Sequence, residues 1–191
     1  MQVRIINPDL PVQQCGVTSM NTNDIVQAAS GIHTTDGTPH GFTALTPFIA
    51  VTGAADALDF YSNVFDTDVT DRTDMPGPDG SPVVVHATLD FGNGRLQVGE
   101  TNPAFHLLGP PAGDDDCYSM GLYVPNVDAV TERAVAAGAT VREEVTTFVS
   151  GDRFGSIRDP FGVRWSVMTR VEDLSDEESS RRVAEWAASM A

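Results

Sequence analysis

Lysine is absent from this 191-residue chain, so all 11 of its basic residues are arginines. They stand against 27 aspartates and glutamates, which leaves a formal charge of −16 at pH 7. A protein that binds nucleic acid needs a basic surface for the phosphates, and anionic membrane surfaces attract basic segments in the same way. The charge therefore argues against both nucleic acid and a membrane as partners.

Cysteine is scarce as well. Cys15 and Cys117 lie far apart, match no zinc-binding spacing and predict no disulfide framework. The chain has no apolar run long enough to cross a membrane and no signal-peptide pattern at its start, so we expect a soluble, cytoplasmic protein. It also lacks a nucleophile elbow, a phosphate-binding loop and a dinucleotide fingerprint, which excludes several common enzyme classes.

What the chain does have is a strong hairpin signal near its C-terminal end. Hydrophobic residues make up 41% of the sequence, enough for a core. Within Asp159-Pro160-Phe161-Gly162, the proline presets φ, the aspartate can bond its own backbone and the glycine can take a positive φ. The flanking residues suit strands. The sequence therefore predicts a β-hairpin in which residues 152–158 pair with residues 163–170.

The second strand of this hairpin has two different faces, because side chains alternate along a strand. One face is apolar and belongs in a core; it carries Val163, Trp165 and Val167. The other face is mixed, as is typical of a cavity lining; it carries Arg164, Ser166 and Met168.

The rest of the chain divides into alternating strands and helices. Asn126 is placed to cap one helix, and Ser175 with Glu178 forms a capping box ahead of the last one. A long connector, residues 101–116, ends in the acidic tip Asp114–Asp116, which we expect to be solvated. Predicted helices are 23–30, 53–65, 127–137 and about 175–189; predicted strands are 44–51, 67–73, 82–91, 95–100, 117–124 and 140–146.

A repeat lies within this order. Ile49-Ala50-Val51 and Leu122-Tyr123-Val124 each precede a helix, and each unit continues as a helix, a strand and a hairpin of strands. We therefore predict an α+β fold in which paired βαβββ modules form a curved, partly open, barrel-like sheet, preceded by an N-terminal extension and followed by a C-terminal helix.

Two stretches carry a family resemblance. The run from Gly151 to Ser166 resembles the closing hairpin of the vicinal oxygen chelate superfamily, which includes glyoxalases, bleomycin-resistance proteins and extradiol dioxygenases. The opening strand, from Thr46 to Val51, and the helix residues from Ala57 to Tyr61 are similar to its PhnB-like branch. The resemblance covers about residues 42–182 and implies paired βαβββ modules, a ligand cavity in the curved sheet and a homodimer.

The domain boundaries follow from the composition and the resemblance together. Residues 1–42 form an extension rich in Asn, Thr, Gln, Gly and Pro, and residues 43–191 form one vicinal-oxygen-chelate-like domain. Within that domain the two modules span about 44–100 and 117–170.

The resemblance also assigns the positions that hold a metal in metal-using members. Carried over, these positions are Thr46, Gln97, Ser119 and Ser166. Hydroxyl and amide oxygens are weak ligands for divalent transition metals, which prefer imidazole, carboxylate or thiolate. We therefore predict no metal and no other cofactor. An alternative is a metal-dependent lyase, isomerase or dioxygenase with displaced ligands, if a shifted register brings Glu100 or His86 into the site.

Strand parity gives a small amphipathic pocket with aromatics, hydroxyls, an amide and a guanidinium. A small organic molecule with an anionic or carbonyl group for Arg164 fits this lining, unless Arg164 is occupied by a surface or hairpin ion pair, for example with Asp159. If the protein is a cofactorless enzyme, the catalytic candidates are His86, Arg164 and Tyr123. The other hypotheses are a binding or resistance protein and a non-catalytic accessory module. Predicted ligand-binding residues are Thr46, Phe48, Gln97, Ser119, Tyr123, Arg164, Ser166 and Met168.

Overall fold

The computed structural model describes residues 27–190. Chain contacts divide the protein into two units, residues 1–40 and 41–191. The described part of the first unit contains a small hairpin, β1 (Thr34–Thr35) and β2 (Thr38–Pro39). The helix predicted at residues 23–30 lies mostly outside the described residues, and residues 27–30 are irregular. Cys15 also lies outside them.

The second unit is built from two βαβββ modules, as the repeat predicts. A single turn of 3-10 helix, Pro103–Phe105, lies in the connector between them, and a third helix, α3, follows the second module. The first module comprises β3 (Phe48–Val51), α1 (Ala54–Phe65), β4 (Asp68–Pro76), β5 (Pro82–Asp90) and β6 (Arg95–Glu100). The second comprises β7 (Ser119–Tyr123), α2 (Val127–Ala136), β8 (Thr140–Thr147), β9 (Asp152–Arg158) and β10 (Arg164–Arg170), and α3 spans Asp176–Ser189.

The two modules have the same strand topology. One sheet has the order β3-β6-β5-β4 and the other has the order β7-β10-β9-β8. In each, the first strand pairs in parallel with the last, and the remaining pairs are antiparallel. The predicted α+β fold of paired βαβββ modules is therefore confirmed, with the strands divided between two four-stranded sheets that are not closed.

Local sequence explains where most elements begin and end. Asn126 caps α2 by accepting from Ala129 N, and Ser175 caps α3 by accepting from Glu178 N. Gly162 has φ 87° and donates to the Asp159 carbonyl, which closes the predicted turn. The closing hairpin has the predicted register, with Arg164 opposite Arg158 and Ser166 opposite Ser156.

The opening strand is shorter than predicted. It begins at Phe48 and not at residue 44, so Thr46 is not on the strand. Pro47 has no N–H to contribute to a ladder, although its carbonyl accepts from Gln97 N. The Thr46 hydroxyl donates to the Thr43 carbonyl at 3.1 Å, a local bond that competes with an extended strand.

Both sheets turn their helix-bearing faces toward a single hydrophobic core. Val163, Trp165 and Val167 are buried in it, as strand parity predicts. The Trp165 ring packs against Tyr61 and Phe65 of α1, with ring centroids 5.3 and 4.5 Å away. The second module is thereby joined to the helix of the first. No helix within residues 27–190 is long and apolar enough to cross a membrane.

Candidate functional site

The predicted site residues lie on the sheet faces turned away from this core. On β3 the side chains of Ile49 and Val51 belong to the core, so the Phe48 side chain points to the opposite face. On β10 the same parity directs Arg164, Ser166 and Met168 away from Trp165. We call these two surfaces the open face of the first sheet and the open face of the second sheet.

On the open face of the first sheet, Phe48, His86 and Gln97 lie close together. Phe48 is directly opposite Gln97 in the parallel ladder. Its ring stacks against His86 at 6.4 Å between centroids, with 25° between the ring planes. Gly99 makes this arrangement possible, because a Cβ there would come within 2.9 Å of the Phe48 ring and 2.6 Å of the Val85 carbonyl oxygen. The result is an aromatic pair beside one amide.

Glu100 lies on the other side of this sheet. Its carboxylate accepts from Gly53 N and from Ala54 N at 2.9–3.1 Å. These are free N–H groups at the start of α1, where a negative charge is favourable. Glu100 therefore caps a helix, and the shifted register that would bring it to the open face is wrong.

On the open face of the second sheet, the predicted residues form two neighbouring pairs. The hydroxyls of Ser119 and Ser166 hydrogen-bond to each other at 2.7 Å. Met168 is opposite Tyr123 in the parallel ladder. Tyr123 is 57% exposed and also lines a cavity of about 360 Å³ that includes Phe91 and Arg133. No hydrogen bond or ring contact among the described residues joins these pairs to Phe48, His86 or Gln97.

Arg164 is held by acidic and polar neighbours on this face. It donates to Glu143 at 2.6 Å, to the Ser156 hydroxyl at 3.1 Å and to Asp116 at 3.4 Å. Arg164 is therefore in an ion pair, as the alternative predicts, but its partners are Glu143 and Asp116 and not Asp159. Asp159 lies on the core side, where it accepts from the Tyr61 hydroxyl and from Trp165 Nε1.

Two further arginines reach the same place. Arg142 Nε lies 3.8 Å and Arg158 Nε 3.6 Å from the Asp116 carboxylate, whose side chain is only 10% exposed. The expectation that the whole acidic tip is solvated is therefore wrong for Asp116. The hairpin register alone could have found Arg158 and Ser156, because it sets them opposite Arg164 and Ser166. No local signal placed Asp116.

The four positions that hold a metal in the metal-using relatives do not fit one here. Thr46 is off the strand, and the Ser119 and Ser166 hydroxyls satisfy each other. Gln97 remains as a single weak ligand. Among residues 27–190, no three His, Cys, Asp or Glu side chains are grouped as a metal site requires.

Comparison with protein families gives one match over most of the chain. A family model described as the Glyoxalase/Bleomycin resistance protein/Dioxygenase superfamily matches residues 32–167. Two mycobacterial relatives, both named as uncharacterized, are 34% identical over 138 residues, or 71% of this chain. They are Mb0911c of Mycobacterium bovis, of which 88% is covered, and Rv0887c of Mycobacterium tuberculosis, of which 79% is covered.

Solved structures show the same fold. TioX from Micromonospora sp. ML1 is 26% identical, with a TM-score of 0.52 over 67% of this chain and 98% of its own. Protein PA1353 from Pseudomonas aeruginosa is 19% identical, with a TM-score of 0.55 over the same shares. A PhnB protein from Bacillus cereus is 20% identical, with a TM-score of 0.51 over 66% of this chain and 99% of its own, and this likeness extends to the fold alone.

Proposed function

This chain belongs to the Glyoxalase/Bleomycin resistance protein/Dioxygenase superfamily, and we propose that it binds a small organic molecule on the open faces of its sheets without a metal ion. The observation that carries the proposal is the paired chemistry of those faces. One presents the stacked rings of Phe48 and His86 beside an amide, and the other presents Arg164 beside two hydroxyls. Small-molecule sites combine apolar surface with a few fixed polar groups in this way.

Each open face selects for a different chemical group. The flat Phe48 and His86 rings suit a planar or unsaturated group. Arg164 presents donors to a carboxylate, a phosphate or a carbonyl, and the Ser119 and Ser166 hydroxyls can both donate and accept. The first sheet therefore suits a planar group, and the second sheet suits an oxygen-rich one.

We propose a site without a metal because of the ligand atoms that its side chains offer. The open faces offer hydroxyls and one amide at the positions where metal-using members need imidazole or carboxylate. Sequestration or resistance requires no more than binding. In a cofactorless reaction His86 would act as general base, with Tyr123 and Arg164 as the other candidate groups.

Native mass spectrometry of protein purified without chelator tests the proposal directly. We expect a non-covalent adduct of the mass of a small organic molecule, and no stoichiometric metal in elemental analysis. Zinc, nickel, manganese or iron at one atom per chain would overturn the metal-free assignment and favour the metal-dependent alternative.

The substitution Arg164→Ala tests the site itself. Removing the guanidinium should weaken binding of the molecule found by mass spectrometry by about 1.5–3 kcal/mol, the range for a hydrogen bond to a charged group, or roughly 10–150-fold in Kd. Arg170→Ala is the matched control, because Arg170 lies on the same strand and the same face but pairs with Asp152 at 3.0 Å. Equal losses in the two variants would contradict the assignment to Arg164.

A further inference from the structure

The end of the connector lies against the open face of the second sheet. We call residues 110–116 the strap. Arg158 donates to the Pro111 carbonyl at 3.0 Å and to the Gly113 carbonyl, and Arg142 donates to the Asp114 carbonyl at 3.0 Å. The strap makes no backbone–backbone hydrogen bond with any other described residue, and residues 111–115 are exposed. Arginine side chains, not a core or a ladder, therefore hold it in place.

Asp116 is poorly matched to the position that it occupies. Guanidinium nitrogens of Arg142, Arg158 and Arg164 lie 3.4–3.8 Å from its carboxylate, whereas a charge-assisted hydrogen bond spans about 2.7–2.9 Å. Its Oδ1 atom is buried without a hydrogen-bond partner, and so is Nε of Arg142. Buried polar atoms without partners are costly, so this arrangement leaves favourable bonds unmade.

We propose that the guanidinium groups of Arg142, Arg158 and Arg164 form a binding site for the oxyanion of a small ligand, and that Asp116 fills this site until the ligand displaces the strap. The proposal rests on the proposed function, because it names the charged group of the ligand and its way onto the same face. An oxyanion that is not tethered to the chain can approach each guanidinium at full hydrogen-bonding distance. The ligand then satisfies the donors that Asp116 leaves unpaired.

Local charge favours the exchange. With the strap in place, Asp114, Asp116 and Glu143 balance the three arginines. Release of the strap removes Asp114 and Asp116, which leaves three guanidinium groups facing Glu143 alone. A phosphate or carboxylate then enters a site of net positive charge. Of the ion pairs that the strap loses, the pair of Asp114 with Arg142 has an exposed carboxylate and contributes only about 0–1 kcal/mol. The pairs of Asp116 are largely buried, but they span 3.4–3.8 Å and leave its Oδ1 without a hydrogen bond.

Phosphate and acetate titrations of the full-length protein test this site, with chloride keeping the ionic strength constant. In Asp116→Asn the internal carboxylate is gone, and we expect phosphate to bind at least 10-fold more tightly than to the wild type by calorimetry. Asp115→Asn is the matched control, because it removes the same charge from an exposed neighbour that makes no ion pair within the described residues. Adding Arg164→Gln to Asp116→Asn should abolish the increase in phosphate affinity.

Two results would overturn the proposal: equal phosphate affinity in Asp116→Asn and Asp115→Asn, or a gain that survives Arg164→Gln. The acetate titration distinguishes a carboxylate ligand from a phosphorylated one. A gain for acetate at least as large as that for phosphate assigns a carboxylate ligand, and a larger gain for phosphate assigns a phosphorylated one.

The wild-type protein supplies a second measurement if Asp116→Asn folds poorly. By NMR relaxation, saturating phosphate or acetate should lower the order parameters of the amides of residues 112–116, since the strap leaves the arginines. Binding of either anion with unchanged strap order parameters would contradict displacement. Failure to find a co-purified organic ligand would count against the proposed function while leaving the phosphate difference between Asp116→Asn and Asp115→Asn intact.

Discussion

Asp159 is the most densely hydrogen-bonded side chain of the closing hairpin. Its Oδ1 accepts from the N–H groups of Phe161 and Val163, and its Oδ2 accepts from the Tyr61 hydroxyl and Trp165 Nε1. Burial raises the pKa of the Asp159 carboxyl, and these hydrogen bonds offset part of that rise. Burial and the nearby Asp159 raise the pKa of Tyr61, so the phenol stays protonated and remains a donor.

Asp159→Ala should therefore be strongly destabilising, because it leaves four donors without an acceptor in a buried place. We expect the free energy of unfolding to fall by at least ~3 kcal/mol, since each unsatisfied buried group costs roughly 1–3 kcal/mol. Urea unfolding measures this loss. Asp59→Asn, an exposed carboxylate on α1, is the control and should change stability little; a loss in Asp159→Ala no larger than in this control would show that the network is not structural.

The pH dependence of stability tests the raised pKa of Asp159. The folded-state pKa of Asp159 lies above the unfolded value of about 3.9, so the protonated carboxyl stabilises the folded protein. This contribution is fully present below about pH 3.9 and is lost as the pH rises through the folded-state pKa. The stability of the wild type relative to Asp159→Asn should thus be greatest near about pH 4 and should shrink toward about pH 7. Urea unfolding of both proteins across this range checks the sign, and a difference that grows with pH would contradict it.

Trp165 and Arg164 are sequence neighbours on opposite faces of β10. Trp165 is 2% exposed and packs on Tyr61 and Phe65, whereas Arg164 lies on the open face. Trp165→Ala should lower the free energy of unfolding by roughly 3–5 kcal/mol through lost burial and a cavity. Arg164→Ala should change it much less. Thermal and urea unfolding of the two variants compare them, and similar losses would refute the assignment of faces.

At the scale of the element, α3 has a side-chain cap at its first turn and contacts the body through Trp186, the Ser179 hydroxyl and Arg182. Trp186 packs edge-on against Phe148 at 5.0 Å between centroids, while Met190 is 72% exposed. Of the predicted apolar stripe, Trp186 thus contacts the protein's own body, but it is 42% exposed and no residue of α3 is buried, so docking of the stripe as a whole stays a prediction. Ser175 caps the helix, but Glu178 pairs with Arg181 and Arg182 and does not complete a reciprocal capping box.

Ser175→Ala should loosen α3 without unfolding the domain. Losing the cap should cost about 1 kcal/mol, within a range of roughly 0.5–2 kcal/mol. Hydrogen exchange in residues 176–189 should quicken about fivefold, the equivalent of that free energy. Ser180→Ala is the control, because Ser180 is exposed in the same helix. Equal exchange in the two variants would show that the Ser175 cap does not stabilise the helix.

At the scale of the whole molecule, the two sheets remain open. β3 and β4 are the edges of one sheet, and β7 and β8 are the edges of the other. Unpaired strand edges and exposed aromatic side chains are surfaces that a second copy of the chain can cover, so we expect a homodimer. Tyr123, 57% exposed on edge strand β7, is the side chain that we expect a partner to cover.

Sedimentation at micromolar concentration measures this assembly. We expect the wild type to sediment as a dimer and Tyr123→Asp to shift toward the monomer, because a charge on the covered edge would be buried without a partner. Phe105→Asp is the control, since Phe105 is 75% exposed on the 3-10 turn. A wild-type monomer would refute the dimer, and equal shifts in both variants would refute the position of the interface.

The sequence by itself determined the features that depend on neighbouring residues. The turn at Asp159–Gly162 follows from its own residues, and it fixes the register of the closing hairpin. Period-two alternation then decides that Trp165 is buried and Arg164 is not. The repeat of βαβββ modules follows likewise, because each unit carries its own pattern of strands and helix.

Only the tertiary structure decided what depends on residues distant in sequence. Asp116 meets Arg142, Arg158 and Arg164 because the connector turns back over the second sheet, and no local pattern sets the path of such a loop. Glu100 caps α1 by accepting from Ala54 N, a partner 46 residues away in the chain. These outcomes are settled by competition among long-range partners for the same polar groups, a competition that is decided only when the chain is folded.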